Sequence, residues 1–391
     1  MRVLLVGIGG AGCRIADTIH ALDQKSRALR CTDGIAFDSD ADTLTGLRAL
    51  PQNQAIYAQV LDLHDDTTAP HAFPDDEVIT RLQSLDPGDI DALFICCGLG
   101  GSMAGHAASL IQRIREGMVE PVFGLCTLPC SREGEEVSAR AANQIDALLP
   151  VLDAMILFDN EIWYERMKDD PEPEHESSEI DLVLSRVRPA VPQPAVARRY
   201  AGINRMIATR MGLLLRAGEV SEQPGAEVGE VALDAGEIVN TLRGMGLAAI
   251  GYARDVVPPL QPDLIRRLRP AGHSVQGSHE SASRIVALGK RAVSQDMSVS
   301  CELARAEKAL VLIAGPPHEM SMRGYMAIRH WIDRNIRGVE VRAGDYPVSG
   351  SRFVAVIVLL SGLTDIARVQ ELRSIRDRKI TEQPLLPGQG E

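Results

Sequence analysis

The sequence lacks the features that mark membrane, secreted and nucleic-acid-binding proteins. No apolar run approaches the roughly eighteen residues that a membrane span needs. The chain opens on a short strand-like segment, and not on a charged segment followed by an apolar stretch, so no signal peptide is evident and we expect a cytoplasmic protein. Only five of the 41 basic residues are lysines, and the net charge is -12. The concentrated basic face that binds nucleic acid is therefore not expected.

The seven cysteines form no paired spacing of the kind found in disulfide frameworks. Several lie in apolar, strand-like runs, where a thiol packs as a small apolar group, so we expect them to be reduced. Cys126 and Cys130 have the spacing of one metal-binding pair, but neither a second pair nor a nearby histidine accompanies them. We predict no metal site formed by the protein alone.

The pattern of apolar residues predicts an α/β fold with two domains, for which 391 residues are enough. Up to about Asn160, strand-like runs alternate with helical stretches, which indicates a parallel sheet with helices on both faces. The pattern restarts after Gly229. We predict a Rossmann-like domain over 1–199 with an acidic, proline-rich insertion over 168–199, a central core helix over 200–218, a smaller α/β domain with its own core over 229–376, and a flexible tail over 377–391.

Two glycine-rich loops, each directly after a strand-like run, predict a phosphate site. They run from Val6 to Arg14 and from Cys97 to His106. Glycine lets the backbone approach an anion, and the N–H groups at the start of the following helix stabilise its charge. Ligands of such sheets bind at the carboxyl ends of the strands. Both loops, together with Asp38–Asp40, Pro129–Gly134 and Asp159–Asn160, can therefore line one site.

The first loop also satisfies the dinucleotide fingerprint, since Gly7, Gly9 and Gly12 are followed by Asp38 at the end of the next strand. In that motif the acid holds a ribose. A nicotinamide oxidoreductase is therefore an alternative, although a dinucleotide site does not need a second phosphate loop.

Two further pairs of residues have both a structural and a functional interpretation. Tyr200 and Asn204 are four positions apart on one helix face, where a ring can stack on a purine and an amide can read a guanine edge. Taken in isolation, the pair is better explained as a half-buried tyrosine and a surface asparagine. Asp234 and Glu237 form a capping box at a helix start, or they orient a water. In the second case their nucleotide comes from another chain.

With these segments in order, the chain resembles the tubulin/FtsZ superfamily of self-assembling GTPases, and most closely its archaeal branch, the CetZ family. The likeness runs from Met1 to about Arg373, interrupted by the insertion and by an altered stretch at Leu61–Glu77. Beside the first loop, it is carried by Glu120–Leu125, Leu128–Pro129, Glu133–Gly134, Phe158–Trp163, Tyr200, Asn204, Glu237–Leu242, Gly315–Pro317 and Gly344–Val348.

The resemblance implies a guanine-nucleotide site for GTP or GDP, with Mg²⁺ as a candidate ion. The implied phosphate contacts are Gly9, Gly10, Ala11, Gly12, Cys13 and Arg14 in the first loop and Gly100, Gly101, Ser102, Met103 and Ala104 in the second. It places Glu133 and Asn160 at the ribose and base, Asn204 at the guanine edge and Tyr200 against the base. Subunits of this superfamily join head to tail, so Asp234 and Glu237 would act on the neighbouring subunit's nucleotide. The implied partners are copies of this chain or related CetZ-like subunits, in filaments that affect cell shape.

The sequence departs from the superfamily at two loops that face the phosphates. In the second loop a threonine is replaced by Met103, and three glycines have gained side chains. The loop that senses the terminal phosphate is replaced by the acidic run Asp62–Thr68. A second hypothesis follows: a regulatory subunit that caps or copolymerises with a functional relative, offering its Asp234/Glu237 loop while its own pocket hydrolyses GTP weakly or not at all.

Overall fold

The computed structural model describes residues 1–26, 30–58, 75–85, 90–167, 194–219, 231, 233–257, 273–348 and 350–382. These residues contain ten strands and eleven α-helices. The strands are β1 (Val3–Ile8), β2 (Thr32–Asp38), β3 (Ala55–Tyr57), β4 (Ala92–Gly98), β5 (Val122–Leu128), β6 (Ala154–Asp159), β7 (Gly246–Val256), β8 (Lys308–Gly315), β9 (Glu340–Pro347) and β10 (Phe353–Leu363). The helices are α1 (Gly9–Asp23), α2 (Ala41–Thr45), α3 (Asp75–Leu85), α4 (Ala107–Gly117), α5 (Glu135–Leu148), α6 (Asn160–Arg166), α7 (Ala195–Ala217), α8 (Ala235–Leu242), α9 (His273–Ser294), α10 (Met322–Asp333) and α11 (Ala367–Glu382).

All ten strands belong to one sheet with the order β3-β2-β1-β4-β5-β6-β7-β10-β8-β9. The strands from β3 to β7 are parallel, and β10 runs antiparallel to both β7 and β8. The first six have the doubly wound order, with a switch point between β1 and β4. The predicted α/β class, with a parallel nucleotide-type half and a second α/β half, is confirmed.

The two halves share a core, contrary to the expected separate core of the second domain. Strand β6 pairs with β7 through Ala154, Met155 and Ile156, so the sheet continues from one half into the other. One apolar cluster on each face then extends through both halves. The boundaries of the two predicted domains stay a prediction.

The central helix α7 begins at Ala195, so residues 195–199 belong to it and not to the insertion. Pro194 immediately precedes it, and α7 ends before Gly218. Its buried face is the predicted one, at Ile203, Ile207, Met211, Leu214 and Leu215. The rest of the insertion, residues 168–193, lies outside the described residues, and so does the altered stretch from 61 to 74.

The last helix, α11, extends to Glu382, six residues into the stretch that the sequence predicted as a tail. It packs on α5 through ion pairs. Asp146 accepts from Arg373 and Arg376, and Glu136 pairs with Lys379 at 3.0 Å. The sequence pattern did not predict the last turns of α11, because charged side chains, and not an apolar stripe, make many of its contacts with α5. The residues after 382 lie outside the described part.

Within the described ranges, no helix is both long and apolar enough to cross a bilayer. All seven cysteines are free, and six of them are buried. Cys97 and Cys126 face each other on β4 and β5, with their sulfur atoms 3.5 Å apart. No group of three or more His, Cys, Asp or Glu among the described residues is placed to hold a metal ion.

Candidate functional site

Five loops meet at one edge of the sheet, after β1, β2, β4, β5 and β6, as the sequence predicted. Because these strands are parallel neighbours, their carboxyl ends lie side by side. The two glycine loops follow β1 and β4, which flank the switch point of the sheet. A doubly wound sheet binds its ligand in the crevice at this point. The same strand order serves dinucleotide sites, so the fold alone does not separate the two ligand classes.

The first loop turns directly into helix α1. Gly9 begins the helix with a positive φ of 68°, and its preceding residue offers no side-chain cap, so the helix N–H groups are not capped by the protein. A side chain at Gly10 would meet Arg14, Asp38 and Thr43 at 3.3–3.6 Å. Gly12 is buried against β4, where a Cβ would lie 2.0 Å from the carbonyl oxygen of Cys96. Ala11 is exposed and Gly10 is half-buried, so the start of α1 faces the edge of the sheet at these two residues.

Charged groups beside the first loop are held in a small network. Arg14 donates to the hydroxyl of Thr43 at 3.2 Å, and that hydroxyl donates to Asp40 at 2.8 Å. Asp38 is buried at the end of β2, and burial raises its pKa. Arg14 opposes that shift. An anion at this loop would meet one guanidinium and two carboxylates. Cys13 lies underneath, buried, with its thiol against the carbonyl oxygens of Gly7 and Phe37.

The second loop is tied to helix α5. The N–H of Gly100 donates to Gln144 Oε1 at 2.6 Å, and Gln144 Nε2 donates to the carbonyl oxygen of Gly101 at 2.8 Å. Arg140 donates to the carbonyl oxygen of Gly100 at 3.0 Å. These bonds commit one N–H and two carbonyl groups of the loop to the protein. Gly101 and Ser102 remain exposed.

Met103 and Ala104 are buried, with 4% and 3% of their surface accessible. A Cβ built on Gly9 would lie 2.9 Å from the Cβ of Met103, so this side chain fills the space between the two glycine loops. The side chain that replaces the superfamily's threonine is therefore part of the core. Its thioether is not offered to a ligand on the surface of the site.

The loop after β5 brings Glu133 to Tyr200 of α7, and Asn160 directly follows β6. Tyr200 donates its hydroxyl to Glu133 at 3.1 Å, and Glu133 also accepts the N–H of Cys130 at 2.8 Å. Burial, and next the charge of Glu133, raise the pKa of Tyr200, so the phenol stays protonated and acts as a donor. Asn160 begins α6 with 8% of its surface accessible, and its buried Oδ1 has no hydrogen-bond partner. Such an atom is costly unless a ligand or water satisfies it.

Tyr200 and Asn204 lie on successive turns of α7. The ring of Tyr200 packs at 5.6 Å against the buried ring of Tyr164, with a tilt of 56°. Arg132 covers the Tyr164 ring at 3.5 Å. Asn204 is partly exposed, and no hydrogen bond to its side chain is found among the residues described. Both side chains are thus partly exposed on this face of the helix, although the ring of Tyr200 is already packed on Tyr164.

Asp234 and Glu237 lie at the opposite end of the molecule from these loops. A Cβ on Gly218, directly after α7, would contact Ala235 and Ile238 at the start of α8. Tyr200 is near the other end of α7, about 25 Å away along the helix axis. Asp234 caps α8 by accepting the N–H of Glu237 at 2.7 Å, whereas the Glu237 carboxylate pairs with Arg342 at 3.5 Å. Helix capping therefore accounts for the side chain of Asp234, but it does not account for the carboxylate of Glu237, which pairs with Arg342 instead.

Sequence reasoning missed the residues that support the site from a distance. Gln144 and Arg140 are forty or more positions from the loop residues that they hold. Arg368 of α11 donates to the carbonyl oxygen of Pro129, in the loop after β5. No local pattern distinguishes these side chains from those on any solvated helix face, so the sequence held no signal for them.

Comparison with known proteins supports the resemblance along the chain. Residues 2–168 match the model of the Tubulin/FtsZ family GTPase domain, and residues 194–377 match that of the tubulin-like CetZ C-terminal domain. The tubulin-like protein CetZ3 of Haloferax volcanii is 31% identical over 384 residues, covering 96% of this chain and 91% of the relative. CetZ1 of the same organism is also 31% identical, over 390 residues with the same coverage.

Solved structures agree with these matches. The GDP-bound monomer of Haloferax volcanii CetZ1 superposes with a TM-score of 0.71 at 26% identity, covering 97% of this chain and 100% of that one. The GTPγS-bound protofilament of Haloferax volcanii CetZ2 superposes with a TM-score of 0.72 at 24% identity, covering 98% of this chain and 99% of that one. At this identity the likeness shows the fold alone. The chain therefore belongs to the CetZ family of tubulin-like proteins, within the tubulin/FtsZ superfamily.

Proposed function

We propose that this chain is a cytoplasmic, tubulin-like filament protein that binds a guanine nucleotide at the five loops, assembles head to tail and affects cell shape. The observation that carries the proposal is the separation of Glu237 from the glycine loops by the length of α7, about 25 Å. A carboxylate so placed cannot reach the nucleotide of its own chain. It can reach a nucleotide held by the next subunit of a head-to-tail assembly.

Four features of the candidate site support the binding of a guanine nucleotide. The uncapped start of α1, with Arg14 beside Gly10, suits phosphate groups. The unpartnered Oδ1 of Asn160 suits a polar group of the ribose or base. The ring of Tyr200 and the amide of Asn204 suit the purine face and edge. The relatives are named as GDP-bound in CetZ1 and as a GTPγS-bound protofilament in CetZ2.

In the proposed mechanism each site is completed by two subunits. The pocket of one subunit holds and orients the nucleotide. The carboxylate of Glu237 on the next subunit, with Asp234 beside it, orients a water toward the terminal phosphate and accepts its proton. Mg²⁺, if it accompanies the nucleotide, would be held largely by phosphate oxygens and water, since it usually retains several waters.

A second candidate is a regulatory subunit that caps or copolymerises with a functional relative. It is favoured by the hydrogen bonds from Gln144, which commit Gly100 and Gly101 to the protein, and by the burial of Met103. Such a subunit would lack a working nucleotide pocket of its own and still offer Glu237 to a neighbour. Nucleotide affinity separates the candidates: the filament protein binds GTP or GDP in the micromolar range, and the regulatory subunit does not bind either at millimolar concentration.

Complementation between two inactive variants tests the head-to-tail arrangement. Glu237→Gln removes the proton acceptor and leaves the pocket intact, whereas Asn204→Leu weakens the pocket and leaves the acidic loop intact. In an equimolar mixture about a quarter of random head-to-tail contacts join an intact pocket to an intact Glu237, so about a quarter of the wild-type GTPase rate should return. Glu302→Gln, at an exposed carboxylate outside the loop, is the matched control.

A mixture that stays as inactive as its components would contradict the shared site. If neither the wild-type chain nor the mixture hydrolyses GTP, the measurement is repeated with a GTP-hydrolysing CetZ relative. A faster relative in the presence of the wild-type chain, but not of Glu237→Gln, supports the regulatory candidate. Full activity of Glu237→Gln alone removes the role of Glu237 in both candidates.

A further inference from the structure

A row of four charged side chains ends at Glu237 and gives this carboxylate a fixed partner. Lys308 pairs with Glu340 at 3.2 Å, Glu340 pairs with Arg342 at 3.1 Å, and Arg342 pairs with Glu237 at 3.5 Å. Lys308 also donates to the carbonyl oxygen of Asn240 on α8 at 2.7 Å. The row therefore joins the edge of the sheet to the helix that Glu237 begins.

The backbone fixes where this row can lie. Glu340 and Arg342 are two positions apart on β9, so their side chains leave the strand on the same face. Lys308 and Glu340 are register partners at the start of the parallel pair β8 and β9. Because strand and helix are both anchored, the guanidinium of Arg342 is held between two carboxylates, Glu340 on one side and Glu237 on the other.

The planar guanidinium can hold two carboxylates in defined directions at once. One edge of Arg342, Nε and Nη2, faces Glu340, and Nη1 faces Glu237. Asp234 already caps the helix, so the contact with Arg342 is not required to start α8. The Glu237 side chain keeps about a quarter of its surface accessible, 27%, where a neighbouring subunit could contact it.

We propose that Arg342 is a positioning residue for Glu237: it holds the carboxylate in the place and orientation from which it acts on the neighbouring subunit's nucleotide. This inference rests on the proposed function. A flexible glutamate on a helix surface samples several rotamers, and a misplacement of about 1 Å can cost about a hundredfold in rate. An arginine that is itself held by Glu340 reduces that freedom. Arg342 needs no contact with the phosphate to have this effect.

The experiment measures GTP turnover per assembled subunit for Arg342→Gln, Arg342→Lys and Arg305→Gln. Arg305 is the matched control, because it is similarly exposed, at 48% against 42%, and pairs with carboxylates far from Glu237. We expect Arg342→Gln to lower turnover about 10- to 100-fold, with unchanged nucleotide affinity and unchanged assembled fraction in sedimentation. Arg342→Lys should recover part of the loss, and Arg305→Gln should behave as wild type.

A double variant tests whether Arg342 acts through Glu237. If it does, Glu237→Gln/Arg342→Gln is no slower than Glu237→Gln alone. A further loss in the double variant, an unchanged or faster rate in Arg342→Gln, or a loss explained by lower assembly would each overturn the inference. These results differ from failure of the proposed function. That failure is full turnover in Glu237→Gln itself, and it would remove the inference as well.

Discussion

Arg368 donates a 2.7 Å hydrogen bond to the carbonyl oxygen of Pro129, which lies 239 positions earlier in the chain. Its Nε is also 3.8 Å from Oδ1 of Asp159. Pro129 belongs to the loop that leads to Glu133, and Asp159 directly precedes Asn160. Arg368, on the last helix, therefore contacts two of the five loops of the candidate site.

Replacing Arg368 with methionine should destabilise the protein strongly at neutral pH. Arg368 is 8% accessible and Asp159 is buried, so the variant leaves the carboxyl of Asp159 without its counter-charge and the carbonyl of Pro129 without its donor. We expect a loss of about 3–5 kcal/mol in the free energy of unfolding, measured by urea denaturation at neutral pH. Arg373→Met, at a more exposed ion pair with Asp146, should cost less than about 1 kcal/mol. Equal losses in the two variants would contradict this account.

The acid Asp159 should make stability fall as pH rises. Burial raises its pKa from 3.8 to about 6, and the charge of Arg368 opposes that shift. The folded state therefore holds this proton more tightly than the unfolded state, and the stabilisation is complete below the unfolded pKa and lost as pH rises through the folded one. Asp159→Asn keeps the cap of α6 without the titration. From about pH 4 to pH 7 its stability should rise relative to wild type by about 2 kcal/mol. A constant difference across that range would refute the raised pKa.

The sequence predicted which loops form the site, but it did not predict how individual side chains in and around these loops are packed. The loops at β1, β4 and β6 follow from strand and helix periodicity, because parallel strands bring their carboxyl ends together. The burial of Met103 did not follow, since a glycine-rich loop shows no apolar periodicity to indicate a core position. Nor did the contacts of Gln144 and Arg368, because long-range polar contacts leave no local pattern. Periodicity predicts elements, whereas individual partners depend on tertiary packing.

Gly12 should tolerate no side chain, in contrast to Gly105 in the second loop. A Cβ at Gly12 would lie 2.0 Å from the carbonyl oxygen of Cys96, which cannot move without displacing β4 from α1. At Gly105 the nearest atom is the end of Gln144, at 3.9 Å. We expect Gly12→Ala to cost about 3 kcal/mol or more and Gly105→Ala less than about 0.5 kcal/mol, by urea denaturation. A mild effect at Gly12 would show that α1 can move away from the sheet.

Restoring the superfamily's threonine at Met103 should weaken the fold without creating a better phosphate site. Met103 is buried between the two glycine loops, so Met103→Thr leaves a cavity and buries a hydroxyl. We expect a loss of about 2–4 kcal/mol in thermal unfolding and no gain in GTP affinity by calorimetry. Ser102→Gly, at an exposed neighbour, is the control and should leave stability nearly unchanged. A clear gain in GTP affinity in Met103→Thr would mean that this position reaches the phosphates.

Tyr200 allows the contribution of its ring to be separated from that of its hydroxyl. The hydroxyl donates to Glu133, but this carboxylate also accepts the N–H of Cys130, so it keeps a partner when the hydroxyl is removed. Tyr200→Phe should therefore change the affinity for GDP by no more than about threefold. Tyr200→Leu removes the surface on which a purine would stack, and should lower the affinity about 5- to 150-fold.

Displacement of a fluorescent GDP analogue measures both variants of Tyr200, with Tyr57→Leu as the control. Tyr57 is exposed on β3, and its side chain belongs to none of the five loops. The ring of Tyr200 already packs on Tyr164, so its replacement by leucine also loosens that contact, and thermal unfolding must accompany the affinity measurement. A folded Tyr200→Leu variant with wild-type affinity would show that the base binds elsewhere. Equal losses in the phenylalanine and leucine variants would assign the effect to the hydroxyl, because both variants lack it and only one lacks the aromatic ring.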